Sequence, residues 1–234
     1  MTFIRSLLFF IAQLVWTPIY ASMVLFIFPL PPHTRYRIGT GLAHSTLWLL
    51  RVICGIRMEV RGAENIPKDP HIVMCKHQSA WETFSLQLVF PDQVWVLKRE
   101  LLWLPFFGWG LASLSPIAID RGKGKQAMKQ LIEQGRDRLQ RGFCVVIFPE
   151  GTRTAYGTRG KYKPGGAVLA EGTGAPVVPV AHNAGKLWGR NSFLKHPGTI
   201  IMSIGQPIDP KGLKSEEITR RVEDWIENEM ARLD

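Results

Sequence analysis

A histidine and a glutamate five residues apart, His77 and Glu82, stand in the segment KHQSAWE at 76–82, directly after the apolar run IVMC at 72–75. One imidazole nitrogen can take a proton from a hydroxyl near neutral pH. A carboxylate on the other nitrogen fixes the tautomer and stabilises the imidazolium that forms. Such general-base assistance accelerates a transfer by about 10²–10⁴-fold. With this spacing Glu82 falls near the first turn of a following helix, from which it can turn back to a histidine at a strand end. A lone pair of this kind also fits a structural histidine, so its reading depends on what accompanies it.

A second chemistry-bearing segment, FPEGTR at 148–153, follows the apolar run FCVVIF at 143–148. Gly151 lets the backbone turn sharply or approach a ligand closely. Arg153 offers a rigid fork of donors suited to a phosphate. The plainer alternative is a glycine turn with a surface salt bridge. Other chemistries find little support. There is no G-x-S-x-G nucleophile elbow. RGKGK at 121–125 is followed by Gln126 where a phosphate loop has serine or threonine after its lysine, and reads as a solvated loop opening a helix. Cys54, Cys75 and Cys144 are odd in number and match no zinc spacing, so they read as reduced core thiols. Cys75 is close to His77 in sequence, but nothing else supports it as a nucleophile. His182 reads as structural.

The elements needed to position these residues are legible as short runs. Candidate strands are 72–75, 94–97, 117–119, 143–148, 177–181 and 199–204, each apolar and bounded by glycine, proline or polar residues. Between them, 125–140 carries Met128, Leu131, Ile132, Gly135 and Leu139 at helical spacing, and Gly142 stops it. The last helix has Ser215 as a candidate N-cap, acids in its first turn, and Ile218, Val222, Trp225, Ile226 and Met230 as its buried face. Strands alternating with helices predict an α/β fold whose mostly parallel sheet is flanked by helices.

Upstream, residues 7–30 contain no charged side chain and are long enough for a helix to cross a bilayer core. A signal peptide would be shorter and would end in small residues, not in FPLPP. A second apolar stretch, 38–56, contains Gly39, Gly41, His44 and Arg51 and is too polar for a confident span. Arg5 alone precedes the first run, whereas Arg35, Arg37, Arg51 and Arg57 follow it. One span plus an interfacial helix, or a hairpin dipping into one leaflet around 31–34, fits the positive-inside tendency better than two full spans. The division expected is therefore residues 1–57 as membrane anchor and interfacial helices and 58–234 as the α/β domain, at the inner (cytoplasmic) membrane and facing the cytosol. The surplus of 29 Lys and Arg over 19 Asp and Glu, a formal charge of +10, points to an anionic partner. The apolar N-terminus and the lack of a recognition motif favour an anionic membrane surface or a phosphorylated substrate over nucleic acid.

The segment from His77 to Glu82 and the FPEGTR of 148–153, in this order and about 70 residues apart, resemble the first and third motifs of the glycerolipid acyltransferase family. IAIDR at 117–121, a strand ending in Arg121, resembles the second motif, and VVPV at 177–180 the fourth. Lys98 matches a basic position typical of these enzymes. The likeness covers roughly residues 60–205, and the set of motifs in this order is far more specific than any one alone. Glu82 departs from the family pattern, which usually ends its first motif in aspartate. Glutamate is one methylene longer but keeps the charge, so activity is expected to survive with a local backbone adjustment. Lipid A acyltransferases share His-x4-Glu, although FPEGTR is not expected in them.

The resemblance implies direct transfer of a fatty acyl group from acyl-CoA or acyl-acyl carrier protein to the sn-2 hydroxyl of lysophosphatidic acid, giving phosphatidic acid, with no metal, cofactor or acyl-enzyme. It implies His77 as the base, Glu82 as its orienting carboxylate, and Arg121, Arg153 and Lys98 as holders of the acceptor phosphate. Glu150, Gly151 and Thr152 would shape the binding loop, Glu150 by positioning the arginines, and backbone N–H groups near His77 would hold the oxyanion. Two alternatives stay open. One is the same family with another acceptor: another lysophospholipid, glycerol-3-phosphate or an amino-acid lipid. The other is a non-catalytic module binding acidic lipids through its charge, which would need no His/Glu pair.

Overall fold

The structure, a computed structural model, describes the chain apart from residues 105, 106 and 234, with the backbone alone at 24, 25, 107 and 121. Three helices open it: α1 (Thr2–Phe26), α2 (Pro32–Gly39) and α3 (Gly41–Leu49), the last continued by a π-helical turn, Leu50–Cys54. There follow β1 (Ile56–Arg61), β2 (Ile72–Cys75), α4 (Trp81–Val89), β3 (Gln93–Lys98), α5 (Phe107–Ser113), β4 (Ile117–Ile119), α6 (Gly124–Gln140), β5 (Cys144–Ile147), α7 (Gly165–Thr173), β6 (Val177–His182), α8 (Ala184–Leu187), β7 (Gly198–Ile204) and α9 (Ser215–Arg232).

The strands lie in the order β1-β7-β6-β2-β5-β3-β4. All neighbours run parallel except β6 and β7. The central strands β2, β5 and β6 are buried at every position, as continuous apolar runs must be when helices cover both faces of a parallel sheet. Alternate side chains serve alternate faces. Ile72, Met74, Val145 and Ile147 point into a core closed by α6, α7 and α9. Val73, Cys75, Val146 and Val178 point into a core closed by Trp81 and Leu86 of α4, Leu50 and Cys54, and Phe9 of α1. The amino-terminal helices thus pack on the sheet and complete its second core.

The expected strands are all present, most with ends moved by a residue. β1 is an addition: IRMEVR is half charged and sits at the sheet edge, so it carries none of the apolar signal that marks the central strands. At α9 the expected cap is corrected. Lys214 occupies the N-cap position without a side-chain bond, and Ser215 is the first helical residue, its N–H donated to Glu171 Oε2 at 2.9 Å. Trp225 is only half buried and lies against Gly205 and Pro179. Gly135 lets α6 approach α7, since a Cβ there would lie 2.7 Å from the Leu169 side chain. Gly142, at φ +87°, takes the left-handed conformation that ends α6.

Because β2, β3, β4, β5 and β6 run the same way, their carboxyl ends share one edge of the sheet, where ligands gather in α/β folds. His77, Lys98, Arg121, FPEGTR and His182 all lie at or just past these ends.

Candidate active site

His77 leaves β2 two residues past its end, and Glu82 is the second residue of α4. The His77 Nδ1–H donates to Glu82 Oε1 at 2.8 Å. The same oxygen accepts the backbone N–H groups of Gln78 at 2.9 Å and Ser79 at 2.8 Å, and Oε2 lies 3.1 Å from the Ser79 nitrogen. The carboxylate is completely buried. Burial alone pushes the Glu82 carboxyl up, but the imidazoles of His182 and His77 and the donated N–H groups outweigh it and hold it below the ordinary carboxylate range. A carboxylate fixed by so many donors fixes in turn the ring it accepts from, so Nε2 of His77 keeps its lone pair. The imidazole stacks on Phe148, with ring centroids 3.8 Å apart.

His182, at the end of β6, is completely buried. Its Nε2–H donates to the Lys76 carbonyl at 2.9 Å and stands 3.8 Å from Glu82 Oε2, while Nδ1 accepts the Ala184 N–H at 3.3 Å. Burial pushes its proton affinity down, more than Glu82 and the Lys76 carbonyl restore it. It braces the strand end from behind.

These two shifts have the same sign in stability. His182 and Glu82 both bind protons more readily in the unfolded chain, with ordinary values of 6.5 and 4.5. Each contribution is therefore complete above its unfolded value and is lost as pH falls through the lower folded one. The denaturant midpoint is expected to drop between pH 7 and pH 5, and His182→Gln to flatten that drop. Equal wild-type midpoints at the two pH values would contradict this assignment.

Glu150 sits under the loop. Its Oε2 accepts the His77 backbone N–H at 3.0 Å, and its Oε1 accepts Lys76 Nζ at 2.9 Å, Thr154 Oγ1 at 3.1 Å and the Gly160 N–H at 3.2 Å. Thr154 N–H returns to the His77 carbonyl at 2.8 Å, so FPEGTR and the His77 turn are cross-tied. The backbone N–H groups of His77, Gln78 and Ser79 are thereby all committed to carboxylates, and the oxyanion donors expected near His77 are not these three.

Gly151 adopts φ +69°, and a Cβ there would lie 2.8 Å from Lys163 Nζ. Thr152 is exposed. Arg153 is half buried, and its Nε is shielded from solvent with no hydrogen bond among the described residues. Lys98 is exposed at the end of β3, in register with Ile119, two residues before Arg121 on the neighbouring strand. The Arg121 side chain lies outside the described residues. Cys75 is fully buried and bonds to the Lys76 carbonyl, and burial, then Glu82 and Glu150, push its thiol well up, which leaves it inert. Beside Phe148 and Gly151 opens an apolar groove of about 270 Å³, lined by Val96, Ile119, Ala127, Met128, Leu131 and Ile147 among others.

Sequence reasoning missed Lys76, Tyr162 and Glu227, which join under the site. Lys76 Nζ and Tyr162 OH both donate to Glu227 Oε1 at 2.8 Å. The one available signal was a lysine closing a wholly apolar strand.

The family model described as Acyltransferase matches residues 57–183. A protein of Pseudomonas aeruginosa named 1-acyl-sn-glycerol-3-phosphate acyltransferase is 46% identical over 235 residues, covering 98% of this chain and 91% of its own. One of the same name from Cocos nucifera is 29% identical over 216 residues, covering 92% and 70%. The crystal structure of the 1-acyl-sn-glycerophosphate (LPA) acyltransferase PlsC from Thermotoga maritima superposes with a TM-score of 0.82 at 24% identity, covering 99% of this chain and 95% of that one, a likeness of fold.

Proposed function

The chain belongs to the Acyltransferase family, and from that premise we propose that it transfers a fatty acyl group from an acyl thioester to the sn-2 hydroxyl of 1-acylglycerol-3-phosphate, giving phosphatidic acid. The observation that carries the reading is the 2.8 Å bond between His77 Nδ1 and a fully buried Glu82. His77 Nε2 takes the hydroxyl proton as the oxygen attacks the thioester carbonyl. The tetrahedral intermediate collapses with loss of the thiolate, which recovers the proton from the imidazolium. Glu82 stabilises that cation while it lasts.

The acceptor phosphate is met by Arg153, whose shielded Nε has no other partner among the described residues, and by Lys98 and Arg121 at adjacent strand ends. Gly151 and Thr152 shape the loop that carries Arg153, and Glu150 anchors that loop. The apolar groove beside Phe148 suits an acyl chain. Acyl-CoA and acyl-acyl carrier protein present the same thioester to His77. The deciding assay offers both labelled donors to lysophosphatidic acid, glycerol-3-phosphate and lysophosphatidylcholine side by side. Phosphatidic acid is the expected product. Transfer only to another acceptor would replace the proposed substrate, and no transfer from either donor by folded protein would overturn the reading.

The helix α1 is long and apolar enough to cross a membrane by length and composition. Its packing favours a different placement. Ser6 accepts the Lys195 N–H at 2.9 Å, Gln13 bonds Thr46 at 3.2 Å, Trp16 bonds Ser45 at 2.8 Å, and Tyr20 bonds the Ile38 carbonyl. A helix tied near its start to the segment before β7 and farther along to α2 and α3 suits entry into one leaflet sideways together with them. Phe3, Phe10, Leu14, Trp48, Trp103 and Trp109 are exposed around it and suit the lipid interface. The protein then sits on the cytoplasmic face of the inner membrane, its positive charge facing anionic lipid.

A further inference from the structure

Lys76 carries a buried charge that the transfer chemistry does not use. Its side chain is 1% exposed, and its three N–H donors meet three acceptors: Glu227 Oε1 at 2.8 Å, Glu150 Oε1 at 2.9 Å and the Thr158 carbonyl at 3.2 Å. These come from α9 and from two places in the loop after β5, so one ammonium ties both to the end of β2. Tyr162 pins Glu227 from the other side. Buried ion groups of this kind add little stability over an apolar replacement, because desolvation consumes most of their attraction. What distinguishes this one is its place. The carboxylate it holds, Glu150, accepts the His77 backbone N–H at 3.0 Å.

We propose that Lys76 is a positioning residue for His77: with Glu227 it holds Glu150 against the His77 backbone, and its charge offsets the fully buried Glu150 and the partly buried Glu227 carboxylates behind the imidazole. The role rests on His77 being the base. Among the described residues, the titratable and charged groups facing His77 are Glu82 from α4, His182 from β6 through Glu82, and Glu150 from the loop, with Lys76, Glu227 and Tyr162 behind them. With both carboxylates ionised, the Lys76–Glu150–Glu227 group carries one net negative charge. Lys76→Met leaves two, Glu227→Gln leaves none, and the double variant restores one.

The test compares turnover, KM and the pH–rate profile of the full-length wild type, Lys76→Met, Glu227→Gln, the double variant and His77→Ala. In Lys76→Met, turnover should fall at nearly constant KM. Its acid limb should move up by about half a pH unit or more, because uncompensated negative charge favours the imidazolium. Glu227→Gln should move the limb the other way, and the double variant should bring it back. Loss of packing alone would lower turnover without moving the limb in opposite directions. Should Lys76→Met fail to fold, Glu227→Gln and the charge-balanced double variant still read the limb. An inactive His77→Ala beside unmoved limbs would overturn the positioning role alone. An active His77→Ala would overturn the base assignment and this role with it.

Discussion

Replacing His77 by alanine is expected to lower turnover by about 10³-fold, within the range that general-base assistance supplies, while the protein stays folded. The fold should survive because the imidazole is not what holds the turn together. The His77 N–H still reaches Glu150, its carbonyl still accepts from Thr154, and Glu82 still accepts from Gln78 and Ser79. What is lost is the ring stacked on Phe148 and with it the one lone pair available at Nε2. His77→Gln sharpens the test. Its amide can lie on Phe148 and donate to Glu82, yet it cannot accept and return a proton, so it should be as slow as alanine. Turnover is to be measured beside a melting curve for each variant. A folded His77→Ala protein within about tenfold of wild type would assign the base elsewhere.

The His77–Glu82 pair is local in the chain. Its donors and acceptors lie within one strand end and one helix start, so spacing alone places them. The central strands were legible for a similar reason: IVMC, CVVI and VVPV must be buried on both faces wherever they sit in the sheet. Other features depend on which strand lies beside which. Lys76 meets Glu227 across 151 residues of chain because α9 packs on β6, next to β2. His182 stands behind Glu82 for the same reason. No periodicity encodes the order β6-β2-β5, so the anchoring of Glu150 by Lys76 is not legible in the sequence. β1 escaped notice because an edge strand with alternating charges looks like a loop. The apolar run of α1 spoke for a membrane but not for its depth. Its packing rests on Ser6, Gln13, Trp16 and Tyr20, polar-tipped side chains whose partners lie elsewhere in the chain.

Glu82→Gln, which removes one charge and almost no volume, should cost about 10²–10⁴-fold in turnover, by analogy with neutralising the carboxylate partner of a general-base histidine. The carboxylate accepts from three donors, His77 Nδ1–H, Gln78 N–H and Ser79 N–H at Oε1, and the His182 imidazole lies 3.8 Å from Oε2. An amide cannot satisfy that ring of donors. If its oxygen keeps the Oε1 position, its NH₂ points toward Ser79 N–H, donor against donor. If it turns over, the NH₂ faces His77 Nδ1, which must then accept, and the imidazole proton moves to Nε2, where the lone pair is needed. Either orientation also removes the negative charge that stabilises the imidazolium. Glu82→Asp separates charge from reach. It keeps every acceptor, retracts by one methylene, and should lose about tenfold or less, because Gln78 and Ser79 can follow the shorter side chain in the turn before α4. Turnover and denaturant midpoints of both variants decide the matter. If Glu82→Asp proves as slow as Glu82→Gln, reach and not charge governs the pair. If Glu82→Gln stays within about tenfold of wild type, Glu82 is a structural brace and the imidazolium is stabilised from elsewhere.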